Sequence, residues 1–131
     1  MRTRISLIGT LAVMAAAFAT PALASSASGE GDAVAGAKVF KRCTTCHSLT
    51  PGENRAGPTL AGVFGKKAGQ QKFKYSKAMA ASGLTWDEKT LDAYLANPTA
   101  VVKGGTMMFR VPRAEDRANL IAYLKTNPTD D

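Results

Sequence analysis

The sequence predicts an all-α fold, and three observations carry that expectation. Apolar residues recur at three- and four-residue spacings in separate stretches, the later stretches stop at glycine or at Asn-Pro, and nothing alternates with the two-residue period of a strand. There is no internal repeat.

The first segment reads as an address. Arg2 and Arg4 give a basic start, Ile5 to Thr20 is apolar and uncharged, and Pro21-Ala22-Leu23-Ala24 supplies the A-x-A ending of a cleaved signal peptide. Ile5 to Ala24 is also long enough to span a bilayer as a retained anchor. Its Ala, Gly and Thr content and its terminal proline favour cleavage after Ala24. Removing residues 1–24 leaves 107 and takes away two arginines, so the formal charge falls from +7 to +5. What remains is one small domain, divided into a flexible leader over 25–31, a folded body over 32–127 and a tail over 128–131. A chain of this size buries only a modest core unaided.

From Asp32 the pattern turns helical, with Val39, Phe40, Cys43 and Cys46 on one face and Lys38, Lys41 and Arg42 on others. Gly36 lies inside this helix at a cost of about 1 kcal/mol, either merely tolerated or required by close approach of another helix. The stretch runs into Cys43-Thr44-Thr45-Cys46-His47, which holds both cysteines and the one histidine of the chain. C-x-x-C-H is the attachment pattern of c-type haem. Residues three apart share a helix face, so Cys43 and Cys46 can each form a thioether with one vinyl group of a single porphyrin. His47 then supplies the proximal axial ligand. Rival readings explain less. A structural zinc site needs four ligands, and three soft ones are present, all adjacent. A thioredoxin-like C-x-x-C needs a βαβ setting, and a Cys43–Cys46 disulfide leaves His47 without a role. Haem would supply much of the missing interior, so the haem-free chain is expected to be largely unfolded.

Residues 48–74 read as loop, broken by Pro51, Pro58 and five glycines, with no phosphate-loop spacing among them. A loop of that length in a small domain is expected to wrap around something. Tyr75 to Ser82 is expected to form a short helix closed by Gly83. Thr85-Trp86-Asp87-Glu88 reads as a capping box opening a helix with Leu91, Tyr94 and Leu95, which Asn97-Pro98 stops. An irregular stretch over 99–112 contains Gly104-Gly105 and Met107-Met108. The last helix spans Ala114 to Lys125, with Glu115 and Asp116 favouring the positive end of its dipole and Leu120, Ile121 and Leu124 as its apolar stripe.

In this order the mature chain resembles the class I cytochromes c of mitochondrial and purple-bacterial type. Matches beyond the haem motif are Gly57-Pro58, Gly62-Val63-Phe64-Gly65, Tyr75, Thr85-Trp86, Tyr94-Leu95, Asn97-Pro98 and Arg117 through Leu124. The resemblance implies a cytochrome c fold, three to five short helices wrapped around one covalently attached haem. It implies that the first and last helices cross at Gly36 and Phe40 against Leu120 and Tyr123. It also implies that the Pro58 carbonyl accepts the second imidazole N–H, and that Tyr75 and Trp86 contact a haem propionate. Two departures stand out: Lys66 replaces the arginine usual after Phe-Gly, and the methionine loop is shorter by one or two residues.

A thioether is the sixth ligand expected of a carrier, since it favours ferrous iron and raises the potential. Met1 and Met14 leave with the signal, and Met79 reads as core. The family's Met-x-Phe pattern selects Met107, while its Gly-Thr-x-Met pattern selects the alternative, Met108. The smaller deletion before Arg117 favours Met107. The expected function is a soluble periplasmic one-electron carrier between a donor complex or dehydrogenase and an oxidase, reductase or reaction centre, and not an enzyme. A haem protein with a labile methionine, acting as a weak peroxidase or gas sensor, is the alternative, as is an anchored or enzyme-subunit cytochrome. Lysines 66, 67, 72, 74 and 77, with Lys38, Lys41, Arg42 and Lys103, read either as a solvated face or as the surface that steers acidic redox partners into transient encounters. Nucleic acid is not expected as a partner, nor stable membrane insertion once the signal is cleaved, and the expected state is a monomer.

Overall fold

The computed structural model describes residues 30–127, so the expected signal peptide, most of the leader and the tail lie outside the described residues. Among the described residues five helices form: α1 (Ala33–Phe40), α2 (Lys77–Ala80), α3 (Glu88–Ala96), α4 (Pro98–Val101) and α5 (Ala114–Lys125). Among the described residues, β pairing is confined to one antiparallel bridge, Lys67 with Thr85. The all-α expectation therefore holds, and so does the range of three to five helices.

The frame is the crossing of α1 and α5. Asp32 caps α1, its carboxylate accepting from the amides of Val34 at 2.7 Å and Ala35 at 3.2 Å, and the Asn119 side chain accepts from the Asp32 amide at 2.7 Å. The cap thus starts α1 and ties it to α5. A Cβ on Gly36 would sit inside the Asn119 carbonyl, and one on Gly31 inside that of Ala118. Glycine is therefore required at Gly36 by close approach. One turn on, the rings of Phe40 and Tyr123 meet at 5.6 Å. Leu120, Ile121 and Leu124 are each under 5% exposed, and burial of side chains of this kind contributes roughly 1.5–3 kcal/mol apiece.

Three sequence expectations need correction. The haem motif does not continue α1: after Phe40 the chain tightens into turns, with Cys43 N donating to Phe40 O at 2.8 Å and Cys46 N to Cys43 O at 3.0 Å. The Thr44 hydroxyl takes the Lys41 carbonyl at 2.8 Å, a side-chain bond that competes with helix continuation. Second, Thr85 is not the cap of α3. Residues 84–86 lie extended against 65–68, with Ala68 N donating to Leu84 O at 2.8 Å and Trp86 N to Lys66 O at 2.8 Å. The helix can start only beyond that pairing, and Asp87 caps it, accepting from Thr90 N at 2.7 Å. Third, Asn97-Pro98 ends α3 but does not open irregular chain. Proline at the first helical position leaves no donor unsatisfied, and Pro98 starts the one-turn α4.

The short helix α2 begins at Lys77, capped by the Ser76 hydroxyl on Met79 N at 3.1 Å, and Gly83 follows it with φ of 66°. Val111 returns the chain to the core: it is fully buried, and its amide donates to Leu95 O at 2.8 Å.

Candidate functional site

Between the helix frame and the two long loops lies a cavity of about 610 Å³. Cys43, Cys46, His47, Pro58, Tyr75, Trp86, Met107 and Met108 all line it. Every residue singled out in the sequence as a haem contact or ligand therefore reaches one space.

His47 is held from two sides. Its Nδ1 lies 2.7 Å from the Pro58 carbonyl oxygen. A carbonyl only accepts, so the neutral ring carries its proton on Nδ1 and leaves Nε2 with a free lone pair. Gly57 allows the approach, because a Cβ there would overlap the imidazole. The Gly57 amide donates to Cys46 O at 2.7 Å, which fixes the loop against the motif that it serves.

A polar network that sequence reading missed keeps this loop in place. Asn54 accepts from Thr59 N at 3.0 Å and donates to Lys72 O at 2.6 Å, so one side chain joins both ends of the loop. The buried Thr59 hydroxyl donates to Thr50 O at 2.8 Å. Arg55 donates to Thr44 O at 2.6 Å and to Glu53 at 2.9 Å, and the buried Ser48 hydroxyl donates to the second Glu53 oxygen at 3.0 Å. Arg55, then Ser48 and Thr50, hold the Glu53 carboxyl below its usual value. Nothing in the spacing of Asn54 or Glu53 marks them: Asn54 bonds backbone groups brought near by folding, and Glu53 bonds the side chains of Arg55 and Ser48 at separations that match no motif.

Cys43 is half-buried and Cys46 exposed, and neither is in a disulfide. Burial pushes the free Cys43 thiol up, against the lowering effect of Arg42. Burial also raises Tyr94, and it raises Tyr75 against a Gln71 backbone hydrogen bond, so both phenols stay neutral and able to donate. Trp86 is buried with its ring 4.9 Å from that of Tyr94, and Tyr75 packs edge-on to Phe73 at 5.2 Å. The two methionines differ: Met107 packs against the buried core, whereas Met108 is 71% exposed. Met79, read as core, packs there and also lines the cavity.

A haem fits this donor set. Two thiols stand on one short turn, an imidazole is oriented by a carbonyl, a thioether sulfur reaches the same space, and Phe40, Val63, Leu91, Leu95 and Leu120 give much of the remaining wall an apolar surface.

Comparison with known proteins agrees. The cytochrome c family model matches residues 33–128. The chain is 52% identical over 99 residues to cytochrome c of Tetrahymena pyriformis, covering 74% of this chain and 90% of that one. It is 50% identical over 104 residues to cytochrome c2 of Rhodomicrobium vannielii, covering 77% and 83%. Among solved structures, cytochrome cH from Methylobacterium extorquens superposes with a TM-score of 0.69 at 42% identity, over 73% of this chain and 99% of that one. Cytochrome c2 from Rhodospirillum centenum gives 0.71 at 34%, over 75% and 99%. The chain belongs to the cytochrome c family, whose cofactor is covalently attached haem c, and its Cys43 and Cys46 are consistent with that attachment.

Proposed function

We propose that the protein is a periplasmic one-electron carrier whose iron is held by His47 and Met107. The haem, when bound, supplies the iron that alternates between ferrous and ferric states. The protein's part is to keep the surroundings of that iron the same in both. His47 is oriented by Pro58 and backed by Gly57, so its free nitrogen points one way regardless of charge. The apolar wall from Phe40 to Leu120 excludes water, and the neutral phenol of Tyr75 and the indole of Trp86 are available to hydrogen-bond a propionate.

The observation that carries the reading is the contrast between the methionines. Both methionines line the cavity, but Met107 packs on the core, so it can stay in place through a redox cycle, whereas Met108 is 71% exposed. The absorption spectrum tests it. Oxidised wild type and Met108→Ala should show the sulfur-to-iron charge-transfer band, and their reduced forms should take up added carbon monoxide only slowly. Met107→Ala should lose the band and bind the gas. If Met107→Ala kept the band, the assignment would fall. If wild type lacked it, the open-site reading, a weak peroxidase or gas sensor, would replace the carrier.

Export rests on the leader read from residues 1–24. Among the described residues, no helix is long and apolar enough to cross a membrane. Lysines 66, 67, 72, 74 and 77 are all exposed, and the first two line the cavity. Such a face draws acidic redox proteins into brief encounters that weaken as salt rises.

A further inference from the structure

The loop that carries Met107 leaves the core at Val102 and returns at Val111, which are 4% and 0% exposed. Its returning end meets a side chain that neither the haem motif nor the ligand set accounts for. Arg117, on α5, donates from one terminal nitrogen to the carbonyls of Val111 at 3.1 Å and Pro112 at 2.8 Å. Its Nε donates to Asp92 on α3 at 2.7 Å. The Arg117 side chain is 12% exposed, that of Asp92 48%. One guanidinium thus joins α5, α3 and the foot of the methionine loop, four residues from the sulfur.

We propose that Arg117, locked in direction by Asp92, is a positioning residue that holds the methionine loop shut over the haem cavity. The proposal rests on the reading of Met107 as the iron ligand. Three features support it. Hydrogen bonds from a charged donor are about twice as strong as neutral ones, and here two of them fall on consecutive carbonyls of the loop foot. The guanidinium fork offers Nε to Asp92 while a terminal nitrogen faces the loop, which a lysine ammonium cannot do. Four residues of chain reach about 13 Å when extended, so releasing Val111 gives Met107 room to leave the cavity. Elsewhere on the same helix pair, Lys125 reaches Glu88 at 2.7 Å, far from the loop foot. That pair separates fastening of the loop from fastening of the helices.

The test uses the holoprotein with Arg117→Lys, Asp92→Asn and Glu88→Gln. Amide hydrogen exchange is followed at Val111, whose amide bonds Leu95 O, and at Leu120 in the core of α5. Carbon monoxide uptake by the reduced protein is timed in parallel. Arg117→Lys should speed Val111 exchange and gas uptake together by about tenfold, the effect of losing roughly 1.4 kcal/mol of charge-assisted hydrogen bonding. Asp92→Asn leaves the carbonyl bonds in place and should give a smaller rise of the same kind. Leu120 exchange and every rate in Glu88→Gln should stay at wild-type values. The clamp is overturned if Val111 exchange is unchanged, if Leu120 speeds up with it, if Glu88→Gln matches Arg117→Lys, or if Val111 exchange rises without gas uptake. Should Arg117→Lys fail to fold, Asp92→Asn decides by the same criteria. Absence of the charge-transfer band in wild type would instead sink the methionine reading, and Val111 exchange would still decide whether Arg117 fastens the loop.

Discussion

The two walls of the cavity are built by different means. On one side α1 and α5 cross so closely that a glycine is required, and the contact is carried by Phe40, Leu120, Ile121, Leu124 and Tyr123. On the other, residues 48–74 form no helix and are fixed by side chains that satisfy backbone groups, as Asn54, Arg55 and Thr59 do. Apolar packing makes a frame that needs few polar contacts. The loop wall sends Val63 and Ala68 into the core, but with no helix of its own it owes its shape to a hydrogen-bond network wrapped around what fills the cavity. The first wall sets where the haem sits; the second sets how its histidine points.

Removing the haem is the severest challenge to that division, because it asks whether the helix frame can stand alone. Each helix is short, 8 residues for α1 and 12 for α5, and isolated helices of such length are marginal in water. An unfilled cavity costs about 24 cal/mol per Å³. If only half of the space stayed empty, the penalty would be on the order of 7 kcal/mol, comparable with the whole stability of a small domain. The double variant Cys43→Ala/Cys46→Ala, purified without haem, should therefore lose most of its far-ultraviolet helical signal. Native-like helicity with a cooperative melt would show the frame to be self-sufficient.

Gly36→Val addresses the frame alone. Its first added carbon overlaps the Asn119 carbonyl, a backbone group that cannot swing aside. Overpacking of this kind costs roughly 1–3 kcal/mol and sometimes more, and backbone on both sides puts this site at the upper end. For a domain near 100 residues, about 3 kcal/mol lowers Tm by at least ~12 °C. Thermal unfolding of the holoprotein checks it, and the charge-transfer band should survive below the melt. Loss of the band in a still-folded Gly36→Val protein would mean that the two walls are not separable.

How much of each wall was legible in the sequence follows from the same division. The stripe Leu120, Ile121 and Leu124 and the bounds of α5 were readable, because a 3.6-residue period and acidic residues in the first turn act locally. The haem motif was readable because its chemistry demands fixed neighbours. The cap of α3 was misread: Thr85 and Asp87 are both good caps, and the choice fell to pairing of residues 84–86 with a segment some 20 positions away. The motif's exit from α1 into tight turns was hidden for a similar reason, since the 43–46 spacing suits either geometry. Pro58 came from family resemblance alone. Asn54 and Arg117 act on backbone groups and Glu53 on the side chains of Arg55 and Ser48, at separations that match no local pattern, and only the folded chain brings them into view.

The smallest effect separates the walls by charge. Glu53 lies in the loop wall and Asp87 caps α3 near the frame, and both carboxyls sit below their ordinary values. Arg55, Ser48 and Thr50 lower Glu53; for Asp87 the leading cause is the Thr90 amide. A carboxyl whose folded value lies below its unfolded one contributes stability that is fully present above the unfolded value. That contribution is lost as pH falls through the folded value. Unfolded Glu53 titrates near 4.5 and unfolded Asp87 near 3.8, so Tm of the wild type should begin to fall below about pH 5 and keep falling to lower pH. Glu53→Gln should flatten the upper part of that fall and Asp87→Asn the lower part, each by a few degrees at most, because both groups are exposed and screened. Asparagine still caps a helix, so Asp87→Asn changes charge with little change in geometry. If the Glu53→Gln and wild-type curves superimposed through acid, the Glu53 contacts would be passengers on a loop that Asn54 and Thr59 already hold.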